Sequence, residues 1–159
     1  MNYRVISVGR LSEPFYRAGV AEYLKRLTPY GNFELVSGLE QSRKASTSAA
    51  DRMKILEQEA NRILTLVKEP EILIGLDIAG RSYSSIDFSR QLQTLNESGV
   101  SRVNFVIGAA DGLADSVKAR CQQLISFSPM TFPHQMAVLI LTEQIYRSFR
   151  ILRGEPYHK

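Results

Sequence analysis

The chain has 159 residues, 44% of them hydrophobic and 23% charged, with a formal net charge of +4. That length and balance suit one soluble globular domain, able to bury roughly 68–70% of its unfolded surface without covalent staples. Cys121 is the only cysteine, which excludes an intramolecular disulfide and a cysteine-based zinc site and fits a reducing cytoplasm.

Met1-Asn2-Tyr3-Arg4-Val5 does not open as a signal peptide does, with a charged segment leading into a long apolar stretch. Tyr3 to Val8 is apolar and β-branched and predicts a short buried strand closed by Gly9. Ser12 is placed to cap a helix with Pro14 near its first turn. Phe15, Ala18, Val20, Ala21, Tyr23, Leu24 and Leu27 supply its inward stripe, and Thr28-Pro29 stops it. Phe33 to Val36 is a second strand. A polar loop from Ser37 to Ser48 follows, of a length that is often functional or mobile in small domains. Met53, Leu56, Ala60, Ile63, Leu64 and Val67 mark a long second helix ended by Pro70.

Ile72 to Ile78 is nearly continuous apolar, the pattern of a strand covered on both faces. Ser84 and Ser85 open a third helix with Ile86, Phe88, Leu92 and Leu95 inward. Val103 to Gly108 is another central strand, followed by a turn and a short helix through Arg120. Leu124 to Phe127 is the last strand. Pro133 begins a final helix that runs to about Arg153 and stops at Gly154. Its longest apolar run, Met136 to Leu141, is too short to span a bilayer. Strands alternating with helices imply a parallel sheet with helices on both faces. No repeat, low-complexity segment or linker divides the chain, so residues 1–159 are predicted as a single α/β domain without an appended RNA-binding domain.

In open parallel sheets, ligands lie beyond the carboxyl ends of the strands. Three strand ends carry unusual residues: Leu76-Asp77-Ile78-Ala79-Gly80-Arg81, Gly108-Ala109-Ala110-Asp111-Gly112-Leu113, and Ser128-Pro129-Met130-Thr131-Phe132-Pro133. Each alone can be an ordinary turn; three on one edge favour a pocket. The G-x-G-x-x-G and G-x-x-x-x-G-K-[ST] phosphate motifs and the G-x-S-x-G nucleophile elbow are absent. Neither His134 nor His158 has a carboxylate at a metal-ligand spacing, so no metal site is expected. Arg43-Lys44 lies in the polar loop, while Arg147, Arg150, Arg153 and Lys159 crowd the end of the chain. Such clusters serve either as a phosphate footprint or as solvating surface charge.

Phe105-Val106-Ile107-Gly108, Ser126-Phe127-Ser128, Met130-Thr131-Phe132-Pro133-His134-Gln135, Glu143-Gln144-Ile145-Tyr146-Arg147 and the terminus Gly154-Glu155-Pro156-Tyr157-His158-Lys159 together resemble one family. It is the ribosomal large subunit methyltransferase H family, small knotted RNA methyltransferases of the SPOUT superfamily. The likeness runs the length of the chain and is densest from Leu73 to Lys159. It implies a C-terminal trefoil knot, a feature pattern reading alone does not propose. It also implies a cleft for bent S-adenosylmethionine, with Leu76, Gly108, Phe127, Ser128, Pro129, Met130, Thr131 and Phe132 as cofactor contacts. The implied reaction is N3-methylation of a pseudouridine in helix 69 of 23S rRNA, on the assembled 70S ribosome. The implied assembly is a homodimer with its clefts near the interface.

That nitrogen is a weakly acidic imide, so the enzyme must orient it and help its proton leave. His134, Tyr157 and His158 are the candidates for general base or hydrogen-bonding partner. The resemblance favours the terminal Tyr157-His158-Lys159 group for substrate and catalytic contacts, and the clustering of Arg147, Arg150, Arg153 and Lys159 makes them the candidate RNA contacts. Other roles stay open for several of these residues. His134 can cap the final helix, Tyr146 and Phe149 can be core, Glu143 and Arg147 a surface pair, Asp77 a strand-end support and Cys121 inert packing. The chain departs from the family at Gly108-Ala109, where relatives usually show Gly-Gly, and at Val138, where they commonly carry arginine. A knotted tRNA methyltransferase and a non-catalytic ribosome-associated protein are the competing readings.

Overall fold

The computed structural model describes residues 1–44 and 46–157. Among these residues, strands β1 (Asn2–Ser7), β2 (Asn32–Ser37), β3 (Ile72–Ser82), β4 (Arg102–Ile107) and β5 (Gln123–Ser126) alternate with helices. The helices are α1 (Pro14–Leu27), α2 (Ala49–Leu66), α3 (Ser85–Glu97), α4 (Asp115–Arg120) and α5 (His134–Leu152). The strands form one sheet in the order β2-β1-β4-β3-β5, with every pairing parallel. The α/β fold expected from the sequence is the fold observed.

Side chains that alternate along each strand sort the core into two layers. Tyr3 and Val5 of β1 and Val103, Phe105 and Ile107 of β4 face one side, where Val20 and Leu27 of α1, Leu92 of α3 and Leu141 and Ile145 of α5 cover them. Ile6 of β1, Leu73 of β3 and Val106 of β4 face the other, beneath Ala60 and Ile63 of α2 and Val117 of α4. Both faces are therefore apolar, which is why β1 and β4 are buried along nearly their whole length. Val138 is fully buried in the first layer and is a core position. No helix among the described residues is long and apolar enough to cross a membrane.

The structure corrects several local expectations. Helix α1 begins after Glu13 without a side-chain cap, and the Ser12 hydroxyl instead accepts a hydrogen bond from Gln135 at 3.2 Å. Its inward stripe is narrower than its apolar residues imply. Val20 and Leu27 are buried, whereas Ala18 and Ala21 face solvent and Phe15 is 63% exposed. Met53 and Ile86 also point outward. Helices α2 and α3 do start on capping serines: Ser48 and Ser84 accept from the backbone N–H of Asp51 and Asp87. Strand β3 runs four residues past Ile78 and pairs with β5 twice, through Ile74–Leu76 and, after an irregularity, through Arg81–Ser82.

Candidate active site

The carboxyl ends of all five strands open onto one cleft of about 890 Å³, within the usual range for small-molecule sites. Arg10 follows β1, Glu40 to Arg43 follow β2, Leu76 to Ile78 lie where β3 breaks its pairing with β5, Gly108 follows β4 and Phe127 follows β5. The loop into α5 supplies Ser128, Met130, Thr131, Phe132 and Pro133, and α5 itself supplies His134 and Ala137. The walls are mainly aliphatic and aromatic, and Phe127 and Phe132 meet edge to face with ring centroids 6.4 Å apart. The loop between them is braced from within. Ser126 donates its hydroxyl to Ser128 O at 3.0 Å, and Ser128 Oγ accepts from the Met130 N–H at 3.0 Å.

Two glycines shape the floor by having no side chain. A Cβ on Gly108 would lie 2.4 Å from the carbonyl carbon and oxygen of Gly112, so the turn that follows β4 closes only over hydrogen. A Cβ on Gly9 would lie 2.4 Å from Nε2 of His134. The imidazole thus rests directly on the backbone after β1, and its Nε2 is 2.9 Å from the carbonyl oxygen of Arg10. A carbonyl can only accept, so Nε2 carries the hydrogen and the neutral ring keeps Nδ1 as its acceptor. His134 does not cap α5, whose N-cap is Pro133 without a side-chain cap bond.

The carboxylates of this edge are engaged. Asp77 accepts from the Ala79 N–H at 2.9 Å and from Lys118 Nζ at 2.6 Å. The hydrogen bond from Lys118, with that from the Ala79 N–H, holds the Asp77 carboxyl below its usual value. Asp77 thus ties β3 to α4 through Lys118. Arg43 reaches from the β2–α2 loop to two carboxylates, Glu59 at 2.9 Å and Asp111 at 2.7 Å. Glu59 is only 2% exposed, and it also accepts from the Gln41 N–H at 2.9 Å. The loop is thereby fastened both to α2 and to the turn that carries Gly108. Cys121 is partly buried beside Gly75, and burial pushes its thiol up to about 11, as inert packing requires.

The chain's last described residues fold back on α5. Tyr157 donates to Glu143 at 3.1 Å, lies 3.3 Å from the Tyr23 hydroxyl and packs against Tyr146 at 5.0 Å between ring centroids. Burial, with Tyr23 and Glu143 adjacent, pushes its phenol well above the usual value. Tyr157 in this setting donates its hydroxyl hydrogen to Glu143. Glu143 also binds Arg147 at 2.6 Å, so that pair is part of a small aromatic network and not a plain surface pair. Arg150 pairs with Glu155 at 2.6 Å, and the Arg153 guanidinium lies 4.3 Å from the centre of the Tyr30 ring. Phe149 is core, as expected.

A family model described as "Predicted SPOUT methyltransferase" matches residues 1–158. The chain belongs to the SPOUT methyltransferase family. Proteins named ribosomal RNA large subunit methyltransferase H share its full length, each aligned over 100% of both chains. The one from Syntrophomonas wolfei subsp. wolfei is 53% identical, that from Enterococcus faecalis 42% and that from Latilactobacillus sakei subsp. sakei 41%. A solved structure of a probable methylase family protein from Haemophilus influenzae is similar with a TM-score of 0.54. It is 11% identical, covers 99% of this chain and 70% of that one, and speaks for the fold alone.

In this SPOUT methyltransferase, Leu76, Gly108, Phe127, Ser128, Met130, Thr131, Phe132 and His134 come together around the cleft, while Pro129 does not line it. Tyr157, Arg147, Arg150 and Arg153 lie along α5 away from it. Glu143 alone is nine residues beyond His134, about 14 Å at the helical rise. His158 and Lys159 fall outside the described residues. Sequence reasoning missed Gly9, Arg10 and the Arg43–Asp111 pair. Gly9 and Arg10 had a signal, because they close the first strand at the same sheet edge as the three loops.

Proposed function

We propose that the protein methylates 23S rRNA, using S-adenosylmethionine to modify N3 of the helix 69 pseudouridine on the assembled ribosome in the cytoplasm. The observation that carries this reading is the cleft at the sheet's carboxyl edge, built by the residues that match the family pattern, in a chain 53% identical to a named rRNA methyltransferase. The residues fit the methyl donor. Leu76, Ile107, Ile125, Phe127 and Phe132 make an apolar slot for adenine, and the side-chain-free turn at Gly108 presents main-chain groups beside it. Bound there, S-adenosylmethionine supplies an electrophilic methyl group on a cationic sulfur.

The chain's own tasks are to hold the base and to take its proton. His134 is the imidazole that lines the cleft among the described residues. Its Nδ1 is the acceptor for the N3 proton, while the Arg10 carbonyl fixes the tautomer. With that proton on His134, the N3 electron pair would be free to take the methyl group, the sulfur keeping the electrons of the C–S bond that breaks. The terminal Tyr157-His158-Lys159 group acts across a homodimer, a reading supported by the anchoring of Tyr157 on α5 at a distance from the cleft of its own chain. The trefoil knot belongs to the same proposal. It is supported by the double pairing of β3 with β5 and by Gly80, where a Cβ would lie 2.6 Å from the backbone of Ile125.

The test is methyl transfer from labelled S-adenosylmethionine to intact ribosomes lacking the modification, with free 23S rRNA and bulk tRNA in parallel. Label on ribosomes, mapped to the helix 69 pseudouridine, is the expected result. Label on tRNA keeps the fold and donor and overturns the substrate. Failure to bind the donor overturns the enzymatic reading.

A further inference from the structure

We propose that Arg10 holds the phosphodiester backbone of the RNA at the mouth of the cleft. The inference rests on the rRNA substrate proposed above. Among the described residues that line the cleft, Arg10 and Arg43 are the cations. Arg43 is consumed internally by Glu59 and Asp111. The Arg10 guanidinium is exposed and takes part in no ion pair or hydrogen bond with a described residue. The cleft therefore presents one uncommitted guanidinium.

The backbone of Arg10 is fixed at both of its polar groups. Its N–H donates to Glu40 Oε1 at 3.2 Å, and its carbonyl accepts from His134 at 2.9 Å. The stem then passes over Gly38, where an added Cβ would lie 3.1 Å from Arg10 Cγ. A side chain held at its root, guided along its stem and free at its head suits a planar, bidentate donor for phosphate oxygens. The same residue that fixes the His134 tautomer thereby positions the RNA strand against it. The arginines of the chain's end are poorer candidates. Arg147 and Arg150 already pair with Glu143 and Glu155, and Arg153 lies over Tyr30.

The experiment measures kcat/KM for methyl transfer to undermethylated ribosomes over a series of KCl concentrations. It compares the wild type with Arg10→Ala and Arg10→Lys, and records S-adenosylmethionine affinity by calorimetry. Arg10→Ala is expected to lower kcat/KM by about tenfold or more, mainly through KM, with donor affinity unchanged. The log–log dependence on salt falls by about 1, the signature of one lost phosphate contact, and Arg10→Lys recovers part of both. An alanine variant with wild-type kcat/KM and salt slope overturns the proposal. So does a loss of donor affinity that accounts for the whole defect, which would make Arg10 a partner of the donor's carboxylate. Absence of transfer by the wild type is seen in its own lane and removes the rRNA reading, and this inference with it.

Discussion

Replacing Gly108 by alanine tests whether the turn after β4 builds the donor site. The new methyl carbon would stand 2.4 Å from both the carbonyl carbon and oxygen of Gly112, about 1 Å inside the 3.4 Å at which ordinary contact begins. Both obstructing atoms are backbone, so a rotamer change cannot relieve the clash. The turn must open, stretching the 3.0 Å bond from the Gly112 N–H to Ala109 O and the neighbouring Asp111–Arg43 pair. Overpacking of this kind costs about 1–3 kcal/mol. In a domain of this size that lowers Tm by about 2–12 °C. Donor affinity should fall by more than the stability change implies, because the displaced turn is itself the cleft wall. Gly99→Ala is the control: its φ of +76° strains any side chain, but nothing lies within 4 Å. It should lose about 1 kcal/mol and keep full donor affinity. Calorimetric titration and thermal melts of both variants decide the matter. Gly108→Ala with wild-type donor affinity would refute the placement of the donor against this turn.

Asp77→Asn should destabilise the protein by about 1 kcal/mol at pH 7, a modest figure because Lys118 is 34% exposed and partly screened. The folded-state value of Asp77 lies below the ordinary 3.8, so its contribution is present above that pH and lost as pH falls through the lowered value. Melts of the two proteins should therefore converge in acid, and a gap that persists there would refute the pairing. Deleting residues 157–159 should leave donor binding intact and abolish transfer, while His134→Ala should lower transfer by about 10²–10⁴ through loss of the base. Heterodimers that combine the two variants should regain activity if the terminus serves the partner's cleft, and none if it serves its own. Cys121, with its thiol pushed up to about 11, should react slowly with a disulfide reagent at pH 8 until the protein unfolds. Rapid labelling of the native protein would contradict its burial.

The parts of the fold legible in sequence are those set by short-range pattern. Strands β1 and β4 are apolar runs followed within two residues by glycine, and Ser84 marks the start of α3. The three loops that converge on the cleft were visible because unusual residues followed predicted strands. Long-range packing hid the rest. Phe15 looks inward by identity, but it is 63% exposed while Val20 and Leu27 of the same helix are buried. Ala79-Gly80-Arg81 looks like a turn, yet the strand continues because β5 arrives to pair with Arg81 and Ser82. Arg43 appears as surface charge in a polar loop until folding brings Glu59 and Asp111 to it. Tyr157 resembles a site residue, and its attachment to Glu143 depends on how the chain turns after α5.

The charges around the cleft are arranged so that few groups are left to act. Arg43 satisfies Glu59 and Asp111, Lys118 satisfies Asp77 and the Arg10 N–H donates to Glu40, so each of these carboxylates is already held by a donor of the chain. A cationic methyl donor held among unpaired carboxylates would be bound more tightly as its charge persists, and binding of that kind does not speed transfer. Pairing those carboxylates removes the penalty. The guanidinium at the mouth and the imidazole nitrogen within are set by the same backbone unit. The Arg10 carbonyl orients His134, Gly9 makes room for the ring, and the Arg10 side chain faces the entering strand. Substrate grip and proton removal are thus joined through Gly9-Arg10. A methyl group added at position 9 should therefore impair the reaction as much as the loss of the imidazole at position 134.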